Sequence, residues 1–347
     1  MSFCGALLRP CACPDMLQGM HDRPSMDCIC GLCGHFCQVR RTEGEQGCCT
    51  AGEHAEISDA FLHHGEEPPI SGTDPVQGGS GTIFFTRCNL HCVFCQNWQI
   101  SQTLPSASGC GANTHRLTVT PEDLAEIMLG LQAQGALNIN LVSPTPHVRQ
   151  IVPALRLAKA RGMDLPIVYN SGGYDSLEAL RLMDGLVDIY LPDAKLAPLG
   201  EGRADEADPL AVRLLGAGDY AQINRLALLE MFRQVGHLRP DGSGPAQRGL
   251  LIRHLVMPEN LAGTSRLIPW LAETFGPELR LNLMAQYRPM YLVRNRAGAF
   301  RDLPGLLRPL KRREYEKAVA LTLERGLRRA FIQESWKLAN YGVSAFH

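Results

Sequence analysis

From Gly81 onward, short apolar runs alternate with stretches in which apolar residues recur every three or four positions. The first kind predicts buried strands at 81–86, 137–142, 166–170, 187–192, 249–256 and 279–285. The second kind predicts helices, and the best delimited starts at Thr120-Pro-Glu-Asp123. Thr120 is a suitable N-cap and Pro121 suits the first helical position. Leu124, Ile127, Met128 and Leu131 then fall on one face, and Gly135 ends the helix. Further helices are expected near 148–161, 176–184, 219–235, 264–275 and 312–325. Alternating strand and helix implies a parallel sheet with right-handed crossovers, compatible with a barrel or with a doubly wound sheet. The segments 196–218 and 239–248 read as loops. Residues 50–80 read as a connection, in which Pro68 and Pro69 argue against helix and Glu66 and Glu67 are expected in solvent.

Composition narrows the classes. The chain has 347 residues, 45% of them hydrophobic, enough for a sizeable core. Lys and Arg number 34 against 35 Asp and Glu, a net charge of −1, so no basic stripe points to nucleic acid. No apolar run is long enough to span a membrane, and the first residues do not read as a signal peptide, so a cytoplasmic location is expected. There are 13 cysteines, all at or before Cys110. An oxidised scaffold would spread them through the fold; crowding at one end points to metal.

Two clusters carry that signal. Cys88-Asn-Leu-His-Cys92-Val-Phe-Cys95 has C-x3-C-x2-C spacing directly after the first parallel strand. Three thiolates suit a [4Fe–4S] cluster whose fourth iron stays open, whereas a structural zinc needs four ligands. Upstream, Cys30, Cys33, Cys37 and Cys48 are spaced C-x2-C-x3-C-x10-C, with Cys28, Cys49 and His35 as spare ligands. Spacing leaves zinc, a second iron–sulfur cluster and unligated thiols all open there. Cys4, Cys11 and Cys13, in a proline-rich tail, read as free thiols.

The first motif, with Phe94 before its last cysteine, resembles that of the radical S-adenosylmethionine (SAM) superfamily. The text from Phe85 to Trp98 is similar to uncharacterised iron–sulfur proteins related to pyruvate formate-lyase activating enzyme. So are Gly44-Glu-Gln-Gly-Cys48 and the His-x-Gly-Glu-Glu-Pro-Pro run before the first barrel strand. The resemblance implies an α/β fold, a partial (βα)6 TIM-like barrel with a small cysteine-rich N-terminal module. Its units would be an irregular tail (1–27), the metal-binding module (28–75), the core (76–300) and a C-terminal helical extension (301–347).

It also implies roles at the strand ends, where βα folds keep their chemistry. Cys88, Cys92 and Cys95 would hold the [4Fe–4S] cluster, with Phe94 beside the bound SAM. Ser143-Pro-Thr145 stands where the superfamily carries a Gly-Gly-Glu-Pro-like stretch that receives the SAM amino group. Asn170 and Ser171 would meet the SAM ribose or a monovalent cation, Asp193 and Lys195 match an activating-enzyme D-x-K pattern, and Arg253 would face the SAM carboxylate. His254 is expected either there or in a structural role, and Gln286 and Tyr287 near substrate. One electron would cleave SAM to a 5′-deoxyadenosyl radical that abstracts hydrogen. A flavodoxin or ferredoxin would supply the electron, and the substrate would be a glycyl radical enzyme or a small molecule. The alternatives are a non-catalytic electron carrier or redox sensor, or a degenerate barrel whose N-terminal module binds a partner.

Overall fold

The computed structural model describes residues 29–74, 78–102, 116–200, 206–240 and 244–333. Cys4, Cys11, Cys13, Cys28 and Cys110 lie outside them. Ten strands occur in chain order: β1 (Ala55–His63), β2 (Ser80–Phe85), β3 (Leu117–Val119), β4 (Ile139–Val142), β5 (Ile167–Asn170), β6 (Ile189–Tyr190), β7 (Arg239–Pro240), β8 (Ala246–Leu255), β9 (Arg280–Met284) and β10 (Phe331–Ile332). They pair in the order β10-β9-β8-β6-β5-β4-β2-β1-β3, with β7 against β8. Every pair from β2 to β10 along that path is parallel, and β1 runs antiparallel to β2.

The parallel strands follow one another in chain order without reversal. Right-handed crossovers then keep the connecting helices on one face, and the other face curls around a lumen. A doubly wound sheet would instead reverse its strand order. The fold is therefore the expected partial barrel, left open among the described residues.

Residue alternation separates the two faces. Ile167 and Tyr169 of β5 belong to the large core under the helices, while Val168 faces the lumen with Ile189, Leu191 and Leu251. Ile70, wholly buried, plugs that small cluster from below. It is carried by a one-turn helix, Pro68–Ser71, where the sequence argues against helix. Both prolines sit in the first turn, whose N–H groups have no intrahelical partner, so nothing is lost there.

Other segments also differ from expectation. The helix Pro209–Leu215 forms inside 196–218, capped by Asp208, opened by Pro209 and closed by Gly216 at φ 74°. The 239–248 stretch contributes β7 and the start of β8, an antiparallel pair. The 50–80 connection contains β1, whose pairing with β2 covers one edge of the parallel sheet. After the helix Arg312–Glu324 the chain returns to the sheet as β10, parallel to β9. The helix Pro121–Ala133 is as read, with a reciprocal cap between Thr120 and Asp123.

Ile70→Ala should cost about 2–5 kcal/mol by opening a cavity under the lumen. A urea unfolding midpoint unchanged by the substitution would refute the plug.

Candidate functional site

The three-cysteine loop leaves the top of β2, a strand buried along its whole length. Arg87 turns the chain at φ 69° and ties the turn down, donating to Glu56 at 3.0 Å and to Thr50 at 2.7 Å. Remote segments fix the loop itself. His91 and Val93 N–H donate to Leu215 and Leu214 O at 2.8 and 2.9 Å, and Val93 O accepts from Val293 N–H at 3.1 Å. Burial pushes the Cys88 thiol up to about 11 and raises Cys92 and Cys95 as well. In all three cases the Lys195 ammonium pulls the other way. Buried thiols that resist ionisation while facing a cation suit a site completed by metal, which displaces their protons.

Below the thiols, charges alternate in sign down the lumen. Lys195 Nζ meets Asp193 Oδ2 at 2.5 Å, and Asp193 Oδ1 accepts from Arg253 Nε at 3.1 Å. Arg253 also donates to Asn170 Oδ1 and reaches Glu66 Oε2 at 3.5 Å. Burial alone would raise the Asp193 carboxyl, but Lys195 and Arg253 outweigh it and hold the group below its ordinary value. Glu66 and Glu67 are consequently not solvated. Glu66 keeps 11% of its side chain exposed, and Glu67 is 7% exposed with Oε1 accepting from Asn282 at 2.5 Å. The turn into the Pro68–Ser71 helix folds inward beneath the strands and carries both carboxylates with it.

The N-terminal module packs on the same loop. His91, between Cys88 and Cys92, reaches Cys48 O at 3.1 Å through Nε2, and His35 Nε2 meets Asn89 O at 2.8 Å. Arg41 Nη2 donates to the sulfurs of Cys30 at 3.1 Å and Cys49 at 3.4 Å. Burial, then neighbouring Cys49, raises Cys33, while a hydrogen bond with Cys48 holds Cys37 low. Arg41 thus bridges Cys30 and Cys49, and Cys48 N–H donates to Cys37 Sγ at 3.3 Å. Cys49 also lies close enough to Cys88 to raise it electrostatically. No three Cys, His, Asp or Glu side chains among the described residues converge closely enough to hold a single ion.

The remaining strand-end residues divide. Asn170 takes part in the charge stack, but Ser171 turns away, donating to Asp175 Oδ2 at 2.7 Å. Asp175, wholly buried, also accepts from Thr145 at 2.7 Å and Tyr169 at 2.8 Å. Ser143 adopts φ 59° at the end of β4 and gives its N–H to Asn170 O at 2.9 Å. Phe94 packs edge-on to Tyr287, 6.0 Å between ring centres. The Tyr287 hydroxyl serves Leu306 O at 2.7 Å, so Tyr287 braces Phe94 instead of lining the lumen. Gln286 is exposed. His254 has both ring nitrogens engaged, by Ala194 O at 2.6 Å and Thr264 Oγ1 at 2.8 Å, a structural role.

Sequence reasoning missed Asp175, Tyr220, Asn224 and Arg41. Tyr220 OH and Asn224 Nδ2 both donate to Asp193 O, at 3.0 Å each, and fix the backbone beneath the D-x-K pair. They occupy the first turns of the helix Tyr220–Val235, where a polar residue at a buried position is the one legible signal.

The family described as the radical SAM superfamily matches residues 82–193. Uncharacterized protein MJ0674 of Methanocaldococcus jannaschii is 33% identical over 301 residues, 84% of this chain and 73% of that protein. A second protein of the same organism, uncharacterized protein MJ0808, is 24% identical over 44% of this chain and 46% of its own length. Among solved structures, HydG, a maturase of the [FeFe]-hydrogenase, aligns over 76% of this chain and 52% of its own, at 12% identity and TM-score 0.45. The anSMEcpe structure with bound AdoMet aligns over 69% of this chain and 57% of its own, at 10% identity and TM-score 0.41. The chain thus spans little more than half the length of these structures.

Asp193→Asn should cost roughly 3–5 kcal/mol, because it leaves Lys195 buried without its counter-charge and leaves Arg253 with Glu66 alone as an ion-pair partner. A separate pH dependence follows from His147 and His254, each lowered by burial to about 4. The unfolded chain takes up these protons first, near pH 6.5, so stability is full above that value and is lost as pH falls toward 4. Urea midpoints should drop between about pH 7 and pH 5; a flat profile would refute the assignment of two neutral buried imidazoles.

Proposed function

The chain belongs to the radical SAM superfamily, and on that premise we propose that it reductively cleaves SAM and uses the resulting radical to abstract hydrogen from a substrate. The observation that carries this reading is the loop of Cys88, Cys92 and Cys95 facing Lys195 at the mouth of the lumen. These three thiolates would hold a [4Fe–4S] cluster, and that cluster, once reduced, supplies the electron that breaks the SAM sulfonium.

The chain's own residues account for binding and enclosure. Lys195, anchored by Asp193, offers a cation for the SAM carboxylate at the lumen mouth, while Arg253 is occupied by Asp193, Asn170 and Glu66. Ser143 presents a strained backbone turn where the superfamily's glycine-rich stretch would lie, leaving main-chain groups to meet the SAM amino group. Phe94, held by Tyr287, walls the loop against water. Asn170 stays within reach of the SAM ribose, and Ser171 acts only by shaping the turn.

The N-terminal thiols would hold a second group. Thiols that neighbour one another without closing on one point suit ligands to separate iron atoms, so we favour an iron–sulfur cluster over zinc at Cys30, Cys33, Cys37 and either Cys48 or Cys49. The D-x-K pair supports an activating-enzyme-like role, with a glycyl radical enzyme or a small molecule as substrate and a flavodoxin or ferredoxin as reductant. Such chemistry requires the reducing conditions of the cytoplasm. No helix among the described residues is long and apolar enough to cross a membrane.

The decisive experiment is anaerobic reconstitution with iron and sulfide, then dithionite and SAM, with 5′-deoxyadenosine as readout. Product should form and fall to background in Cys92→Ala. An intact, reducible cluster that yields no product would instead favour an electron carrier or redox sensor. Metal analysis of the same preparations should show iron beyond one cluster, with Cys49→Ala losing the excess; retention of all iron in that variant would exclude Cys49 as a ligand.

A further inference from the structure

The lower end of the lumen has acceptors in excess of donors. Glu66 Oε1 accepts from Asn140 Nδ2 at 3.1 Å, Glu67 Oε1 accepts from Asn282 Nδ2 at 2.5 Å, and Arg253 Nη1 reaches Glu66 Oε2 at 3.5 Å. Three buried oxygens are left with no partner: Glu67 Oε2, Asn140 Oδ1 and Asn282 Oδ1. Their residues are 7%, 0% and 6% exposed. A buried acceptor without a donor costs about 1–3 kcal/mol, so three around one pair of carboxylates is a costly arrangement unless something fills it.

Charge points the same way. The stack holds three carboxylates (Asp193, Glu66, Glu67) against two cations (Lys195, Arg253), one negative charge in excess when all are ionised. His63, with Nδ1 3.8 Å from Glu66 Oε1, does not correct this, because burial holds it below its ordinary value and hence neutral. Burial raises the Glu67 carboxyl although Arg253 pulls the other way, so a cation seated at this end would favour its ionised form.

We propose that this end of the lumen, around Glu66 and Glu67, receives a protonated nitrogen group of the substrate. An ammonium brings three N–H donors and one positive charge, matching in number the three unpartnered acceptors and the excess charge. An inorganic cation would bring the charge without any N–H donor, and potassium therefore serves as a control below. Glu66 and Arg253 retain 11% and 17% side-chain exposure, while Ile70 nearby is wholly buried. With its nitrogen on the floor, the substrate places its reacting C–H between Asp193 and the thiol loop. The proposal rests on the radical SAM reading and narrows its substrate class to amines.

The test uses the full-length, iron-reconstituted protein held anaerobically, with thermal melting as readout. The probes are n-butylammonium, its neutral counterpart n-butanol, tetramethylammonium, which has charge but no N–H, and potassium, all at equal ionic strength. n-Butylammonium alone should raise the melting temperature saturably. Glu67→Gln and Glu66→Gln should each weaken that response about ten- to hundredfold, the loss of one charge-assisted hydrogen bond. Two variants are included so that one poorly folded protein does not decide the matter. An equal response to potassium or tetramethylammonium, no response to n-butylammonium, or a response undiminished in both variants would overturn the proposal. SAM cleavage assayed on the same preparation separates the two claims. Cleavage without an ammonium response sinks only the amine site, whereas absence of cleavage sinks the reading beneath it.

Discussion

Asp193 stands between Lys195 and Arg253 in a region largely closed to water, and the geometry of the lumen follows from that placement. A buried ion is costly unless its counter-charge and hydrogen bonds are supplied at once. Here the backbone supplies the register. Asp193 bridges Arg253 across the sheet beyond β6, Ala194 N–H donates to Arg253 O at 2.7 Å, and Arg253 N–H donates to Pro192 O at 2.9 Å. Tyr220 and Asn224 then fix the Asp193 carbonyl from the covering helix. Two cations are thereby presented at different depths, Lys195 toward the thiols and Arg253 toward Glu66 and Glu67.

The thiol loop depends on the tertiary structure in a similar way. Its backbone is held by the helix Pro209–Leu215, by the short helix Tyr291–Asn295 carrying Val293, and by Arg87 reaching Thr50. Leu214, Leu215, Val293 and Thr50, the far partners in these contacts, all lie well away from it in sequence. The N-terminal module touches the loop through His35 on Asn89 O and His91 on Cys48 O, so two groups of thiols separated by two strands and a one-turn helix adjoin in space. In a low-dielectric interior, charge on one group is felt by the other, as Cys49 and Cys88 already show.

The strand–helix alternation and the cap at Thr120 were legible because each is written in local periodicity and local hydrogen bonding. The helix Pro209–Leu215 and the turn Pro68–Ser71 were not, since short elements carry little periodic signal and are stabilised by what they pack against. Glu66 and Glu67 illustrate the same limit. Two glutamates before two prolines read as a solvated turn, and only the curl of the sheet turns that segment inward to meet Arg253, Asn140 and Asn282.

The sequence by itself determined the class of chemistry: cysteines confined to one end, three of them in a C-x3-C-x2-C loop after a buried strand, and polar residues closing successive strands. Those features depend on neighbours within a few residues, which the chain order specifies. The tertiary structure decided which polar residues share a site. It set Arg253 against Asp193 and not toward open solvent, gave Ser171 to Asp175, brought Cys49 beside both thiol groups, and buried two carboxylates at the base of the lumen. Contacts between residues far apart in the chain arise from strand order and register, and those are fixed when the whole sheet closes over its core.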